Sequence, residues 1–104
     1  SQHAASRFMT MCYDCTELLV ERCPAVVHVD GTARPQVVVR NHNPRYYDVI
    51  EAYASSTGNP AIINTSFNHH EEPIVLSPQD ALRSLADGNV DVLVAGRCLV
   101  SPAE

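Results

Sequence analysis

Two short polar blocks carry residue types that bind phosphate or stabilise a reacting group. The first block, residues 28–34, has the sequence His-Val-Asp-Gly-Thr-Ala-Arg, so that an imidazole, a carboxylate, a hydroxyl and a guanidinium lie within seven residues. Arg34 beside such a turn suits a phosphate or carboxylate, because a guanidinium donates two parallel hydrogen bonds. The alternative is a surface hairpin in which Asp30 and Gly31 form the turn and Arg34 is solvated.

The second block, residues 64–68, has the sequence Asn-Thr-Ser-Phe-Asn and follows a short apolar run, Ala61–Ile63. Proteins of the α/β class place ligand-binding groups in loops that leave apolar strands. Hydroxyl and amide groups there would donate hydrogen bonds to phosphate oxygens or ribose hydroxyls. The alternative is an Asx or Ser turn that only leads the chain out of a strand.

The basic residues are unusual, because all seven are arginine and the 104-residue chain has no lysine. This excludes Schiff-base chemistry, a lysine general base and a P-loop lysine within the chain. The net charge of -5, without a basic run, argues against nucleic-acid binding. The sequence also contains no apolar run long enough for a membrane span and no signal-peptide pattern.

Cysteine usage favours a reduced, cytoplasmic protein. Cys12 and Cys15 form a C-x-x-C pair, which is typical of half a zinc site or of a redox pair. A zinc site needs a second pair, and Cys23 and Cys98 do not form one. We therefore predict that the four cysteines are small apolar fillers and that the chain has no metal site, with a zinc module through Cys12 and Cys15 as a third-ranked alternative. The cluster at 69–72, His-His-Glu-Glu, is interpreted as an exposed loop.

Two helices are indicated by their caps and apolar periodicity. The first has Asn43 as its cap and Pro44 in its first turn, carries apolar residues on one face, and ends near Gly58. The second begins at Ser77-Pro78 with an acid three residues after the cap. Segments 7–15, 25–29, 33–39, 61–63 and 91–95 are predicted as extended, with 25–29 and 33–39 forming a hairpin. The order predicts a single α/β domain over residues 1–104, with two helices packed on a sheet.

Several blocks occur in the order in which one protein family has them. They are Val-Val-His-Val-Asp-Gly-Thr-Ala-Arg-Pro-Gln at 26–36, Asn-Pro-Arg-Tyr-Tyr at 43–47, Thr-Gly-Asn-Pro at 57–60, Asn-Thr-Ser-Phe-Asn at 64–68, Glu-Pro-Ile-Val at 72–75 and Asp-Ala-Leu at 80–82, with Arg-Phe-Met at 7–9 upstream. Over roughly residues 6–100 the chain resembles the C-terminal, YrdC-like domain of NodU/CmcH-type O-carbamoyltransferases.

This resemblance implies a YrdC-like twisted mixed sheet with two main helices, incomplete relative to the family domain. It implies that ATP, with Mg²⁺, and carbamoyl phosphate bind and form a carbamoyl adenylate. A separate N-terminal Kae1-like domain, which holds Fe²⁺, then passes the carbamoyl group to a hydroxyl of a small molecule. Ser66 and Asn68 match the family's Ser-x-Asn element, and Arg34 matches an arginine of the nucleotide site. The catalytic residues are accordingly predicted as Arg34 and Ser66, and the nucleotide-binding residues as Thr32, Arg34, Asn64, Thr65, Ser66 and Asn68.

The chain departs from the family pattern at two points. Glu71 stands where the family usually has glycine, and the lysine expected in a YrdC-like site would lie upstream of these residues. We therefore expect part of an O-carbamoyltransferase, inactive in isolation, whose partner is the N-terminal domain or another chain that supplies the missing half. The alternative function is a non-catalytic, truncated YrdC-like domain that acts as a binding module or self-associates as a homodimer.

Overall fold

The computed structural model describes residues 4–103 as a small mixed α/β protein. The chain forms two compact units, one ending at Ile63 and one beginning at Asn64. The α/β class predicted from the sequence is confirmed. The prediction of a single domain over residues 1–104 stays a prediction, and its ends, residues 1–3 and 104, lie outside the described residues.

The first unit begins with short elements joined by a non-local strand pair. A 3-10 turn, Ala4–Arg7, precedes strand β1, Tyr13–Asp14, and helix α1, Glu17–Arg22. The Thr16 side chain accepts a hydrogen bond from the Leu19 backbone N–H and so caps α1. Strand β2, Thr32–Ala33, pairs antiparallel with β1, with Tyr13 opposite Ala33. This pairing buries Ala33, which lies within the first polar block.

Helix α2, Pro44–Thr57, has the two ends that the sequence predicts. The Asn43 side chain accepts a hydrogen bond from the Tyr46 backbone N–H, and Pro44 occupies the first turn. Gly58 ends the helix with φ of 74°, the left-handed conformation that glycine adopts without strain. The prediction of this helix is confirmed.

The second unit packs helix α3, Pro78–Ala86, against a short hairpin. Ser77 and Asp80 form a capping box at the start of α3, as their spacing predicts. Strands β3, Leu93–Ala95, and β4, Cys98–Val100, pair antiparallel. The core of this unit consists of buried Ala81, Leu85 and Leu93, with half-buried Phe67, Val75, Val90 and Val100 packed against them.

Two strand predictions are wrong. The segment 25–29 does not pair with 33–39: Pro24–Val26 forms a 3-10 turn, and of the second segment only Ala33 lies in a strand, Thr32–Ala33. Residues 61–63, predicted as a buried strand, have no regular secondary structure. The β-branched run indicates strands, but Pro24 starts a tight turn and the partner of β2 is the distant β1.

Among the helices of residues 4–103, none combines the length and the apolar character needed to cross a bilayer.

Candidate functional site

The turn at residues 28–32 is held closed by backbone hydrogen bonds. The Gly31 N–H donates to the His28 carbonyl at 2.9 Å, and the His28 N–H donates to the Thr32 carbonyl at 2.7 Å. Gly31 has φ of 81°, which a residue with a Cβ adopts only under strain. The Cys15 N–H donates to the Gly31 carbonyl at 3.0 Å, so that the turn is tied to the end of β1.

A chain of side-chain hydrogen bonds crosses this turn. Both the Thr32 backbone N–H and its hydroxyl donate to Asp30 Oδ1, at 3.0 and 2.7 Å. His28 Nδ1 lies 3.1 Å from the same Thr32 hydroxyl. Because the single hydroxyl proton goes to the Asp30 carboxylate, His28 Nδ1 must be the donor in that contact. The turn thus orients the imidazole, hydroxyl and carboxylate relative to one another.

The electrostatics of Asp30 follow from the same contacts. Hydrogen bonds from the Thr32 side chain and backbone lower the pKa of the Asp30 carboxyl below its ordinary value of 3.8, and the nearby His28 lowers it further. The carboxylate is therefore ionised at neutral pH and acts as an acceptor only. Its charge stabilises the Asx-type turn that leads into β2.

Arg34 follows β2 directly and is exposed. Its guanidinium has no hydrogen bond or ion pair with any described residue. Arg40, by contrast, pairs with Asp48 at 3.0 Å and Glu51 at 2.8 Å and stacks over the Tyr47 ring. Arg34 thus has its donors available for a phosphate or carboxylate.

The second polar block lies in the second unit, in the loop before α3. Asn64, Thr65 and Ser66 are exposed, and within residues 4–103 the hydroxyl groups of Thr65 and Ser66 form no hydrogen bond. Asn68 differs, because its Nδ2 donates to the carbonyls of His69 at 3.0 Å and Glu72 at 3.2 Å. Asn68 therefore braces the loop, and Thr65 and Ser66 present free hydroxyls.

The structure brings together some of the predicted site residues. In the first unit it links Thr32 to His28 and Asp30, two residues before Arg34. In the second unit it places the 64–68 block on one loop, which the hydrogen bond from the Val75 N–H to the Phe67 carbonyl joins to the following segment. Thr32 and Arg34 of the predicted site thus lie in the first unit, and its residues from 64 to 68 lie in the second.

Sequence reasoning missed how far Thr32 is engaged by its neighbours. The Asp-Gly-Thr order is itself a signal for an Asx turn, in which an aspartate accepts from the residue two places on. The bond from His28 Nδ1 had no such signal, because it depends on the closed turn.

The cysteines are free thiols at four separate positions. Cys23 is buried and donates to Asn59 Oδ1 at 3.1 Å, while Cys12 and Cys98 are exposed. No group of three or more histidine, cysteine, aspartate or glutamate side chains among residues 4–103 is arranged to hold a metal ion.

Comparison with known proteins assigns the chain to a family. Residues 1–102 match the family model described as the carbamoyltransferase C-terminus. The nodulation protein NolO of Bradyrhizobium diazoefficiens is 50% identical over 76 residues, which cover 73% of this chain and 14% of that protein. The uncharacterized protein MJ1051 of Methanocaldococcus jannaschii is 38% identical over 96 residues, or 92% of this chain and 19% of that protein.

A relative with a named activity also matches. The 3'-hydroxymethylcephem-O-carbamoyltransferase of Amycolatopsis lactamdurans is 31% identical over 80 residues, which cover 77% of this chain and 15% of that protein. The chain thus spans less than a fifth of the length of each of these three relatives. The chain belongs to the carbamoyltransferase C-terminus family, as a C-terminal domain of the NodU/CmcH type.

Proposed function

We propose that this chain is the part of an O-carbamoyltransferase that helps to bind ATP and carbamoyl adenylate. Hydrolysis of carbamoyl phosphate would give carbamate and phosphate. A carbamate oxygen would then bond to the α-phosphorus of ATP as the bond to pyrophosphate breaks. The carbamoyl group would finally pass to a hydroxyl of a small molecule, in an N-terminal Kae1-like domain or partner chain. A YrdC-like arrangement of the complete domain, in the cytoplasm, belongs to the same proposal.

The observation that carries this proposal is the unpaired guanidinium of Arg34 after a turn that is held by hydrogen bonds. Charge spreads over the phosphoryl oxygens when the α-phosphate is attacked, and fixed donors stabilise it. Arg34 would neutralise that charge, and the free hydroxyl of Ser66 would donate a hydrogen bond. Asn68 would hold the loop in shape. A Mg²⁺ ion would arrive with the triphosphate.

Titration calorimetry with MgATP tests the nucleotide site. We expect Arg34→Ala to weaken binding by about tenfold or more, because it removes a charge-assisted hydrogen bond. Arg22→Ala is the matched control, since Arg22 is an exposed arginine of the same unit, and it should leave the affinity unchanged. Equal effects of the two substitutions, with both variants folded by circular dichroism, would contradict the assignment of Arg34.

The alternative is a non-catalytic binding or self-association module. Its supporting observation is exposed apolar surface: Ile74, Leu76, Val94 and Leu99 are 67%, 94%, 71% and 75% exposed. Concentration-dependent dimerisation together with absence of MgATP binding would favour this function. Binding of MgATP that depends on Arg34 would favour the transferase role.

A further inference from the structure

A cleft of about 310 Å³ lies in the first unit, apart from the residues of the proposed nucleotide site. Its walls come from three chain segments: Arg7 and Phe8, residues 36–39, and residues 42–43. The Val37 N–H donates to the Ser6 carbonyl at 2.8 Å, which holds the first two walls together. The His42 N–H donates to the Val39 carbonyl at 2.9 Å and fixes the third. The cleft is thus built by chain segments about 30 residues apart in the sequence.

A hydrogen bond joins two of the polar side chains that line the cleft. Arg7 Nη1 lies 3.2 Å from His42 Nε2. A guanidinium only donates, so His42 Nε2 is the acceptor in this contact. His42 therefore orients the Arg7 guanidinium by accepting its hydrogen bond.

The charge of Arg7 has no acidic partner at the cleft. None of the described residues that line it is aspartate or glutamate. Arg83, by comparison, has Asp80 at 3.6 Å, and Arg40 has two carboxylates. The cleft consequently carries one uncompensated positive charge beside an apolar wall. A small-molecule site has the same composition: mostly apolar lining with a few placed polar groups.

We propose that this cleft binds a small organic monoanion, a carboxylate carried on an apolar body. The planar fork of Arg7 matches a carboxylate, and a single guanidinium balances a single negative charge. The valine side chains and Phe8, which is 71% exposed, provide apolar area for the rest of the ligand. None of these residues belongs to the set predicted for the nucleotide, so the proposal stands apart from the carbamoyltransferase chemistry.

The test is an NMR titration of the full 104-residue chain with sodium benzoate. We expect saturable shifts at the methyl groups of Val37–Val39 and at the Arg7 side-chain N–H. Benzamide, the neutral analogue, and acetate, which lacks the apolar body, should each bind at least about tenfold more weakly, because each lacks one of the two contacts. Phenyl phosphate, a dianion near neutral pH, should also bind more weakly than benzoate.

Substitutions test whether Arg7 is the residue that binds benzoate. Arg7→Gln should reduce benzoate affinity by about tenfold or more, while Arg22→Gln, in the same unit, should not change it. Arg7→Lys keeps the charge without the fork and should show an intermediate loss, so that it serves if Arg7→Gln does not fold. Equal binding of benzoate and benzamide, tighter binding of phenyl phosphate, or equal effects of Arg7→Gln and Arg22→Gln would each overturn the proposal. So would non-saturating shifts.

Discussion

Thr32 shows how a residue chosen as a ligand group can act through its neighbours. Its hydroxyl proton is given to Asp30, and its oxygen accepts from His28 Nδ1. The hydroxyl is therefore occupied as a donor, which is the role that a phosphate would require of it. Within the proposed nucleotide site we infer that Thr32 positions the start of β2, and that Arg34 makes the contact with the ligand.

Replacing Thr32 by valine should raise the pKa of Asp30 toward its ordinary value of 3.8, because the main hydrogen bond that lowers it is lost. Thr32→Ser keeps the hydroxyl and should keep the pKa low. A depressed folded-state pKa contributes stability above the unfolded pKa, which is lost as the pH falls through the folded pKa. The free energy of unfolding of Thr32→Val should therefore fall less than that of the wild type as the pH drops below 3.8. An NMR titration of the Asp30 carboxyl measures the shift, and equal values in the valine and serine variants would contradict this account.

Glu71 is the second informative residue, because the resemblance to the family predicts glycine there. Its φ of 67° is left-handed, a conformation that costs a residue with a Cβ about 1 kcal/mol. Glu71→Gly should therefore stabilise the fold by up to about 1 kcal/mol, the gain being reduced by the greater freedom of glycine in the unfolded chain. Chemical denaturation measures it. The control is Glu72→Gly, where no left-handed strain is relieved, and an equal gain there would contradict this explanation.

At the level of elements, the helices could be predicted and the strands only in part. The signals for α2 and α3 are local: Asn43 and Ser77 cap the first turns, and Gly58 ends α2. The pairing of β1 with β2 joins residues about 20 positions apart, and no local spacing encodes such a partner. The turn at residues 30–31 was correctly located, although its flanks do not form the predicted hairpin.

In the candidate site, too, the sequence predicts local features but not contacts that depend on the fold. The sequence predicts the Arg34 and Ser66 blocks as site residues, because their residue types are suited to phosphate, and this stays a prediction. It could not show that Asn68 braces its own loop, since both acceptors are backbone carbonyls whose direction depends on the fold. The cleft beside Arg7 was also not predictable, because its contact with His42 spans 35 positions.

The capping box of α3 gives a prediction at this scale. Ser77→Ala removes the acceptor for the Asp80 backbone N–H and should destabilise the fold by about 1 kcal/mol. Hydrogen bonds from the Ser77 side chain and backbone lower the pKa of Asp80 below 3.8. The stability that Asp80 contributes is therefore present above pH 3.8 and is lost as the pH falls through its lower folded-state pKa.

Denaturation of wild type and Ser77→Ala across this acid range measures both effects. The difference between the two proteins should be largest near neutral pH and should shrink as Asp80 becomes protonated. Ser101→Ala, at an exposed position after β4, is the control and should change stability little at any pH. A difference that stays constant down to low pH would show that Asp80 does not depend on Ser77.

The whole molecule buries little apolar surface of its own. Among the described residues only Cys23, Ala33, Ala81, Leu85 and Leu93 are buried hydrophobic residues, and no side chain is less than 2% exposed. Helix α2, fourteen residues long, has no buried residue. Many large apolar side chains among the described residues thus remain exposed, and burying them against another polypeptide would stabilise that contact.

The hairpin of β3 and β4 is where this exposed surface can be tested. Val94 and Leu99 lie directly opposite each other, and both point away from the core that holds Leu93. If this pair drives association, the purified chain should form dimers or larger species at high concentration in sedimentation velocity. Replacing both residues by threonine, which retains β propensity, should shift the population toward monomer. Val92→Thr, beside the hairpin and 49% exposed, is the control and should leave association unchanged. A wild-type chain that stays monomeric at every concentration would show that the Val94–Leu99 face does not mediate self-association.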